Sequence, residues 1–368
     1  MMFSIKVITN GAQLLAIREE FDSFVWKWSE NPFLLSPFIL SGMELCHSRG
    51  RVPIIFMIYD SDRIVGMAPL LLRHKMGIRF SEFLFGSHFL PEIVVDDEYR
   101  EACICAIIDC LTENMNCKFL DLTLSAESKN LPALEESCNR IHIFSSSKVE
   151  NCHRIALVNC TWDEFVSKRG SNFRHKFRRI EQKLSETGNW KISKVETLGQ
   201  ENELFDKILQ IDALSWKKTW AFSKGITEDP ELSMLFRSIV NNTKIKPVFT
   251  WCAYFLSIND KVISYVLVFK GKETAFIKRT SYDESYRDFS PGLLIMNYAV
   301  RDLFDDGRIR LIDWCSENSF MDRWSKITLP RMTIMVRKGI IPTVSSLCQG
   351  NGSIRKLYRS VASVLEFE

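Results

Sequence analysis

A short pattern that occurs twice constrains the fold of this chain more than any other feature. Residues 62–66 read Asp-Arg-Ile-Val-Gly, and residues 260–264 read Asp-Lys-Val-Ile-Ser. Each copy lies at the turn of a predicted hairpin, because apolar, strand-forming runs flank a short polar turn on both sides. The predicted strand pairs are 53–59 with 63–72, and 251–258 with 261–269. A second turn (76–77, 271–272) then leads into a third strand, so the sequence predicts the same antiparallel meander in both halves.

A helix and a further strand follow each meander. The predicted helices are 98–113 and 291–304, and the strands after them are 118–122 and 310–314. A unit of this length indicates a duplicated domain rather than a solenoid. A chain of 368 residues, 46% of them hydrophobic, also exceeds the usual size of a single core. We expect an α/β (α+β) protein of two domains, 1–148 and 149–368, with a boundary at the polar stretch Ser145-Ser146-Ser147.

Composition sets limits on location and partners. The formal net charge of +3 is small, so any basic site is local. The eleven cysteines form no CxxC pair and no cluster with His at metal-ligand spacing, which indicates reduced thiols and no metal site. The N-terminus lacks the pattern of a signal peptide, and no apolar run is long enough for a bilayer. We expect a cytoplasmic protein with at most peripheral membrane contact.

The segment 278–294 carries the chemistry. A predicted strand leads into Ser290-Pro291-Gly292, where Ser290 suits a helix N-cap and Pro291 suits the first helical position. We expect the amides of Gly292, Leu293 and Leu294 to lack partners and to point outward at the positive end of the helix dipole. Such a helix start is a site for a pyrophosphate, to which Arg287 can add a charge-assisted hydrogen bond.

This segment resembles the GNAT acyltransferases. Their pattern Gln/Arg-x-x-Gly-x-Gly/Ala is matched at Arg287 and Gly292, whereas Ser290 stands at the position of the first glycine. That departure is typical of the CelD-like branch, which is associated with cellulose biosynthesis and is similar here at Tyr282-Asp283 and Ser290-Pro291-Gly292.

Further short motifs extend the resemblance over nearly the whole chain. They are Ser215-Trp216-Lys217, the arginine-rich stretch 173–179 and the strand 64–70. One feature departs from the family. Relatives usually carry Tyr-Lys before an Arg/Asp-Trp pair, and this chain has Phe320-Met321-Asp322-Arg323-Trp324.

The resemblance implies two tandem GNAT-like domains, each a mixed, mostly antiparallel sheet flanked by helices. It implies an N-acyltransferase that moves an acyl group from acetyl-CoA or a longer acyl-CoA to an amine of a small-molecule, sugar or lipid acceptor, in envelope polysaccharide biosynthesis. The C-terminal domain would hold the cofactor, and Trp216 and Lys217 would contact substrate. In the family a backbone amide polarises the carbonyl where the central strand splays, which is around Lys278, Arg279 and Thr280 here.

Proton transfer in such a reaction needs nearby groups. The carboxylates Asp283 and Glu284 at the strand end, and Asp313 and Glu317 around the last strand, are candidates for taking the proton from the amine. Tyr298 is a candidate for protonating the departing thiolate. Each also has a structural interpretation, since Asp283 suits a turn cap, Asp313 a strand edge and Tyr298 a packed helix face.

Three other functions are compatible with parts of the sequence. A Fem-type aminoacyltransferase uses the same duplicated fold with aminoacyl-tRNA, although it favours a broader basic surface than this chain provides. A nucleic-acid-binding protein would use the basic helix with Arg174, Lys176, Arg178 and Arg179, but its aromatic residues suit a core face, so we expect no nucleic-acid partner. A non-catalytic scaffold of a polysaccharide assembly is the third.

Overall fold

The computed structural model describes residues 3–75, 77–85, 89–141, 143–157, 160–196, 201–219, 225–243, 249–316 and 319–337. The strands, β1 to β13 in chain order, are Phe3–Ile8, Val52–Asp60, Arg63–Lys75, Ile78–Phe83, Val94–Val95, Phe119–Ser125, Ile143–Ala156, Trp190–Glu196, Thr250–Ile258, Lys261–Lys270, Thr274–Tyr282, Leu311–Asp313 and Thr328–Arg337. The helices, α1 to α10, are Gly11–Ala16, Arg18–Trp28, Ser36–Ser48, Arg100–Asp109, Leu131–Ile141, Trp162–Ser167, Ser171–Thr187, Glu201–Ala213, Pro230–Thr243 and Pro291–Asp305.

The described strands form one mixed sheet in which the same order occurs twice. The first block is β1-β2-β3-β4-β6 and the second is β8-β9-β10-β11-β12. In both blocks the first four strands pair antiparallel and the last pair is parallel. Both predicted meanders are therefore present, and the fold is the expected one of two tandem GNAT-like units.

The two blocks exchange their last strands. β7, which follows the first block, pairs with β12 of the second block, whereas β13, which follows the second block, pairs with β6 of the first. β7 and β13 also pair with each other at the centre of the sheet. Ser145-Ser146-Ser147, where the sequence predicts the domain boundary, lies inside β7. β13 supplies the hydrogen-bond partners that let these small polar residues form a strand.

Three hydrophobic clusters hold the helices on the sheet. One packs α4 and α5 on the first block, and another packs α7 and α10 on one face of the second block. The third lies on the opposite face of the second block and is shared by both halves. It contains an aromatic group from both halves, in which the Phe33 ring lies 5.4 Å from Phe269 and 5.3 Å from Phe276, measured between centroids. This shared core joins the two halves into one body.

Two further properties of the described residues bear on function. None of their helices combines the length and the apolar character that crossing a membrane requires. They also contain no group of three or more His, Cys, Asp or Glu side chains arranged to hold a metal ion.

Candidate active site

The parallel strands β11 and β12 form a cleft in the second half. They pair only over Thr274–Phe276 and Leu311–Asp313, whereas β11 runs on to Tyr282. On its other side β11 has a bulge, because Val268 pairs with Ile277 and Leu267 pairs with Arg279. Lys278 is the extra residue of this bulge, which re-aims the backbone at that point. The sequence-predicted segment 278–280 therefore lies along the edge of the cleft.

The Lys278 side chain points toward the first half. Its ammonium lies 4.3 Å from the ring centroid of Phe89 and 5.8 Å from that of Phe33. Burial lowers the pKa of Lys278 to about 8, with a smaller opposing effect from Cys315. The second half thus places a lysine that readily loses its proton against aromatic rings of the first half.

The Lys217 side chain also contacts this edge of the cleft. Its ammonium donates to the carbonyl of Thr280 at 2.8 Å and lies 3.6 Å from the buried carboxylate of Asp212. Burial lowers the pKa of Lys217 to about 8, and Asp212 opposes that shift. Asp212 also accepts from the Tyr265 hydroxyl at 3.1 Å. Trp216 is half-buried beside Lys217, so the sequence-predicted pair lies next to the cleft.

The turn after β11 leads from the cleft to α10. Glu284–Phe289 forms a 3₁₀ helix, and Pro291 occupies the first position of α10 as expected. Ser290 precedes it with a left-handed backbone (φ 50°) and makes no side-chain capping bond. The expected serine cap is therefore wrong, because that role requires an extended backbone.

The helix start offers fewer free amides than predicted. Leu293 and Leu294 both donate to the Ser290 carbonyl, at 3.0 and 3.3 Å, and their side chains are buried. Leu294 is the fourth helical residue and so has an intrahelical partner, whereas Leu293 makes a 3₁₀-type bond. Among the described residues, the Gly292 amide makes no backbone hydrogen bond. A Cβ at Gly292 would lie 3.2 Å from Cδ1 of Tyr282, so a side chain there would press on that ring.

Arg287 lies at the surface, in the turn that precedes α10. Its side chain is exposed and its guanidinium is 3.3 Å from the Glu284 carboxylate. The neighbouring helix α7 packs against α10 through Phe177 and presents Arg174 and Arg178 to solvent. Exposed arginines thus occur both on α7 and in the turn before α10.

The predicted carboxylates at the strand ends are held in structural contacts. Asp283 accepts from Lys261 at 2.9 Å and from the Ser285 hydroxyl at 2.7 Å. Burial raises the pKa of Asp283, but these hydrogen bonds outweigh burial and leave the pKa below its usual value. Asp313 is fully buried and accepts from Arg154 Nε and the Cys315 amide, both at 2.6 Å. With its pKa lowered, Asp283 is a weak base.

The remaining proton-transfer candidates do not meet at the cleft. The Tyr298 hydroxyl donates to Glu181 of α7 at 3.1 Å, and its ring packs against Trp190 of β8. β8 is four strands away from β12, which is about 20 Å at the usual strand spacing. Glu284 stays at the turn beside Arg287. Glu317 lies outside the described residues.

The segment that departs from the family pattern is packed with apolar groups. Met321 and Trp324 are buried, and the Phe320 ring lies 5.3 Å from that of Trp324. The Asp322 carboxylate lies 2.9 Å from the imidazole Nε2 of His153. The Tyr-Lys pair of the relatives is thus replaced by side chains that belong to the core of the second half.

A cavity lies where the two halves meet. No motif in the local sequence predicts it. It has a volume of about 170 Å³ and is lined by Phe276 and Leu311 at the foot of the β11–β12 cleft. The first half contributes the carboxylates Glu30 and Glu92. No neighbouring motif marks Glu92, because it reaches the second half only through the arrangement of the strands.

The turn before α10 has a counterpart in the first half. Asp96 pairs with Arg63, and Asp283 pairs with Lys261. The amides of Asp96 and Asp283 donate to the carbonyls of Val65 and Ile263, at 2.9 and 2.8 Å. These residues occupy matching places in the repeated hairpins, so the duplication extends to side-chain contacts.

Comparison with known proteins agrees with this architecture. Residues 171–320 match the family model described as an acetyltransferase (GNAT) domain. The matched region contains β11, the cleft edge and α10. No curated protein sequence matches the chain.

Solved structures resemble the whole chain at low identity. FemX is 11% identical, with 90% of this chain and 96% of that chain covered and a TM-score of 0.59. A conserved protein of unknown function from Bacteroides thetaiotaomicron is 12% identical, with coverages of 92% and 100% and a TM-score of 0.59. The C-terminal domain of a putative lysylphosphatidylglycerol synthetase from Agrobacterium fabrum is 10% identical, with 97% of both chains covered and a TM-score of 0.56. Residues 171–320 are thus similar to a GNAT acetyltransferase domain, and the likeness over both halves shows a fold shared with these solved structures.

Proposed function

We infer that this protein is an acyl-CoA-dependent N-acyltransferase whose cofactor binds to the second half. The observation that carries this function is the cleft between β11 and β12, which begins after Phe276 and has the Lys278 bulge at its edge. Exposed backbone at a strand bulge can donate a hydrogen bond to a thioester carbonyl. The GNAT match of residues 171–320 covers this cleft.

The residues at the start of α10 fit the pyrophosphate of CoA. The Gly292 amide and the positive end of the helix dipole favour an anion, and Arg287 can exchange Glu284 for a phosphate oxygen. Arg174 and Arg178 on α7 are available for a further phosphate. When bound, acyl-CoA supplies the activated acyl group. The chain itself positions the thioester and the amine, and positioning is the main source of rate in a direct transfer.

The acceptor is an amine on a small molecule, a sugar or a lipid, and the CelD-like resemblance points to envelope polysaccharide biosynthesis in the cytoplasm. Lys217 and Trp216 lie beside the cleft and are proposed to contact substrate. The acyl group is acetyl or longer.

Titration calorimetry with acetyl-CoA tests the cofactor site. Gly292→Val places methyl groups against Tyr282 and over the free amide, and Arg287→Glu reverses a charge without changing any packing. We expect each variant to lower the affinity at least about tenfold. Gly307→Val is the matched control, because it lies beyond the other end of α10 with open space around its Cβ. A folded Arg287→Glu protein that binds as tightly as the parent would contradict the site.

A second candidate, Fem-type aminoacyl transfer, is favoured by the whole-chain likeness to FemX. The same calorimetry separates the two functions. An aminoacyltransferase of that type would bind an aminoacyl-tRNA and would show no saturable binding of acetyl-CoA.

A further inference from the structure

The cavity between the halves lies at the place from which an acceptor can reach the cleft. Phe276, the last β11 residue paired with β12, lines this cavity. Its side chain belongs to the core shared by both halves, whereas its neighbours Ala275 and Ile277 pack on the face that carries α10. The cavity therefore opens on the face of the sheet opposite α10. A cofactor at the start of α10 and an acceptor in the cavity would approach the same edge from two sides.

The size and lining of the cavity suit the amine-bearing end of a small polar molecule. Its volume of about 170 Å³ is several times the roughly 30 Å³ that a water molecule occupies in the liquid. The polar lining comes mainly from the first half, which contributes Thr123, Ser125, Glu30 and Glu92. Arg154 and the buried Arg331 also line it, and Asp313 and Glu127 both pair with Arg154. Glu30 and Glu92 are the groups of this lining that can accept hydrogen bonds or a proton from an amine.

The two carboxylates differ in their surroundings. Glu30 is exposed and accepts from the Thr274 hydroxyl at 2.9 Å. Glu92 is set deeper, and one of its oxygens accepts from the Ser128 hydroxyl at 3.1 Å. Burial raises the pKa of Glu92, with smaller opposing effects from Ser128, Arg100 and Lys129. Glu92 therefore holds a proton more readily than an ordinary surface carboxylate.

We propose that the amine acceptor binds in this cavity and that Glu92 of the first half takes its proton. This inference rests on the proposed acyl transfer. The Glu92 carboxylate accepts one proton from the ammonium, and the freed lone pair forms the C–N bond to the acyl carbon. The C–S bond breaks, and the second proton on that nitrogen leaves with the CoA thiolate. The first half thereby contributes a catalytic residue to a site whose cofactor is held by the second half.

The charged groups that face Glu92 determine how readily its carboxylate is protonated. They lie on the segments packed beside it and across the cavity: Glu30, Arg100, Lys129, Arg154 and Arg331. The experiment therefore changes Glu92 alone, as Glu92→Gln, which keeps size and polarity but removes the basic oxygen. Glu136→Gln, on the exposed side of α5, is the matched control.

Two small amines separate proton removal from the other steps. At neutral pH methylamine is protonated and needs a base, whereas hydroxylamine is already neutral. With acetyl-CoA as donor, we expect Glu92→Gln to lower acetylation of methylamine by about 100-fold or more and to leave that of hydroxylamine nearly unchanged. The rate with methylamine should recover as the pH rises toward the pKa of methylamine. Calorimetry should show that parent and variant bind acetyl-CoA equally.

The possible results distinguish a failure of the proposed acyl transfer from a failure of the role of Glu92. A parent protein that does not bind acetyl-CoA removes the proposed function, and this inference falls with it. If acetyl-CoA binds, the inference is overturned by equal losses with both amines, by no loss with methylamine, or by a parent that acetylates neither amine.

Thermal unfolding gives a readout that does not depend on activity. A carboxyl group whose folded-state pKa is raised destabilises the folded protein once the pH exceeds that pKa, and has no such effect below its unfolded value. Glu92→Gln should therefore raise Tm on the order of 1 °C at neutral pH, and the difference should disappear in acid. A lower Tm for Glu92→Gln at neutral pH would show that the carboxylate is structural and would overturn the proposal.

Discussion

The turns that follow β5 in the first half and β11 in the second begin with the same contacts and end differently. In each, an aspartate pairs with the first residue of a preceding strand, Asp96 with Arg63 and Asp283 with Lys261. The same cation also lies over a tyrosine ring, 5.8 Å from Tyr99 in the first half. In the second half the corresponding distance to the Tyr286 ring is 5.1 Å.

The two turns diverge after the tyrosine. α4 begins at Arg100, directly after Tyr99, whereas four residues, 287–290, separate Tyr286 from the start of α10. Those four residues bring Arg287 and the left-handed Ser290 in front of the helix. The shared contacts thus fix the turn on the sheet, and we attribute the proposed anion site to the four additional residues. This explains why only the second half is proposed to bind the cofactor.

Deleting residues 287–290 should have the largest effect, because it converts the second turn into the form of the first. We expect the affinity for acetyl-CoA, measured by calorimetry, to fall at least about 100-fold, since the arginine and the geometry of the helix start are both lost. Inserting the same four residues between Tyr99 and Arg100 is the control, and it should leave the affinity unchanged. Retained binding by a folded deletion variant would refute this account of the comparison.

A second difference between the halves is the buried ion pair at the end of β10. Lys270 is buried and its ammonium lies 2.8 Å from Asp306, whereas Leu72 stands at the matching place in the first hairpin. Burial raises the pKa of Asp306, but hydrogen bonds from Lys270 and Arg308 outweigh it and lower the pKa to about 2.

Because the folded-state pKa of Asp306 lies below its usual value of 3.8, the carboxylate stabilises the protein above that pH, and this contribution is lost as the pH falls through about 2. Asp306→Asn should lower the free energy of unfolding by about 2 kcal/mol at neutral pH, as measured with urea. The difference should shrink steadily below pH 4. The exposed neighbour Asp305→Asn should have little effect at any pH, and a pH-independent loss from Asp306→Asn would count against the ion pair.

Substituting the two corresponding aspartates should separate effects on the stability of the fold from effects on acetyl-CoA binding. Asp96→Asn and Asp283→Asn each weaken an ion pair and a capping bond, to the amide of Glu98 or of Ser285. We expect each to lower the free energy of unfolding by about 1–2 kcal/mol. Only Asp283→Asn should also weaken acetyl-CoA binding in calorimetry. Equal effects of the two substitutions on binding would show that the first turn takes part in the cofactor site.

The smallest effect is expected from exchanging the two cations. Arg63→Lys and Lys261→Arg keep the charge, and both side chains are more than half exposed. Each should change the free energy of unfolding by less than about 0.5 kcal/mol. A larger loss from Arg63→Lys, in urea unfolding, would mean that the guanidinium has a geometric role that an ammonium cannot fill.

The sequence predicts those parts of the fold that depend on local pattern. The repeated hairpins, the third strands and the helix that begins at Pro291 are encoded by apolar alternation and turn residues, and the structure contains them. The strand over Ser145-Ser146-Ser147 is not predictable from local pattern, because the segment is polar and its partner strand β13 lies far away in the sequence. The free amides were overcounted at Leu293 and Leu294, since their bonds to Ser290 depend on its left-handed backbone.

The candidate site could be predicted only where it is local. A short motif predicts that Trp216 and Lys217 contact substrate, and this stays a prediction; Lys217 donates to the Thr280 carbonyl at the strand edge. Glu92 could not be found in this way, because its position depends on how the two halves share one sheet. The division into domains 1–148 and 149–368 remains a prediction, and β7 crosses that boundary.

The exchange of β7 and β13 has a consequence for how the chain folds during synthesis. β6 must wait for a strand that pairs Ser125 with Arg331, more than two hundred residues later. Until then the nascent first half carries an open strand edge, which is prone to pair with other chains. Contacts of such long range also slow folding. Almost the entire described chain must therefore be synthesised before the sheet of either half is complete. We expect the two halves to fold together, in a single late step.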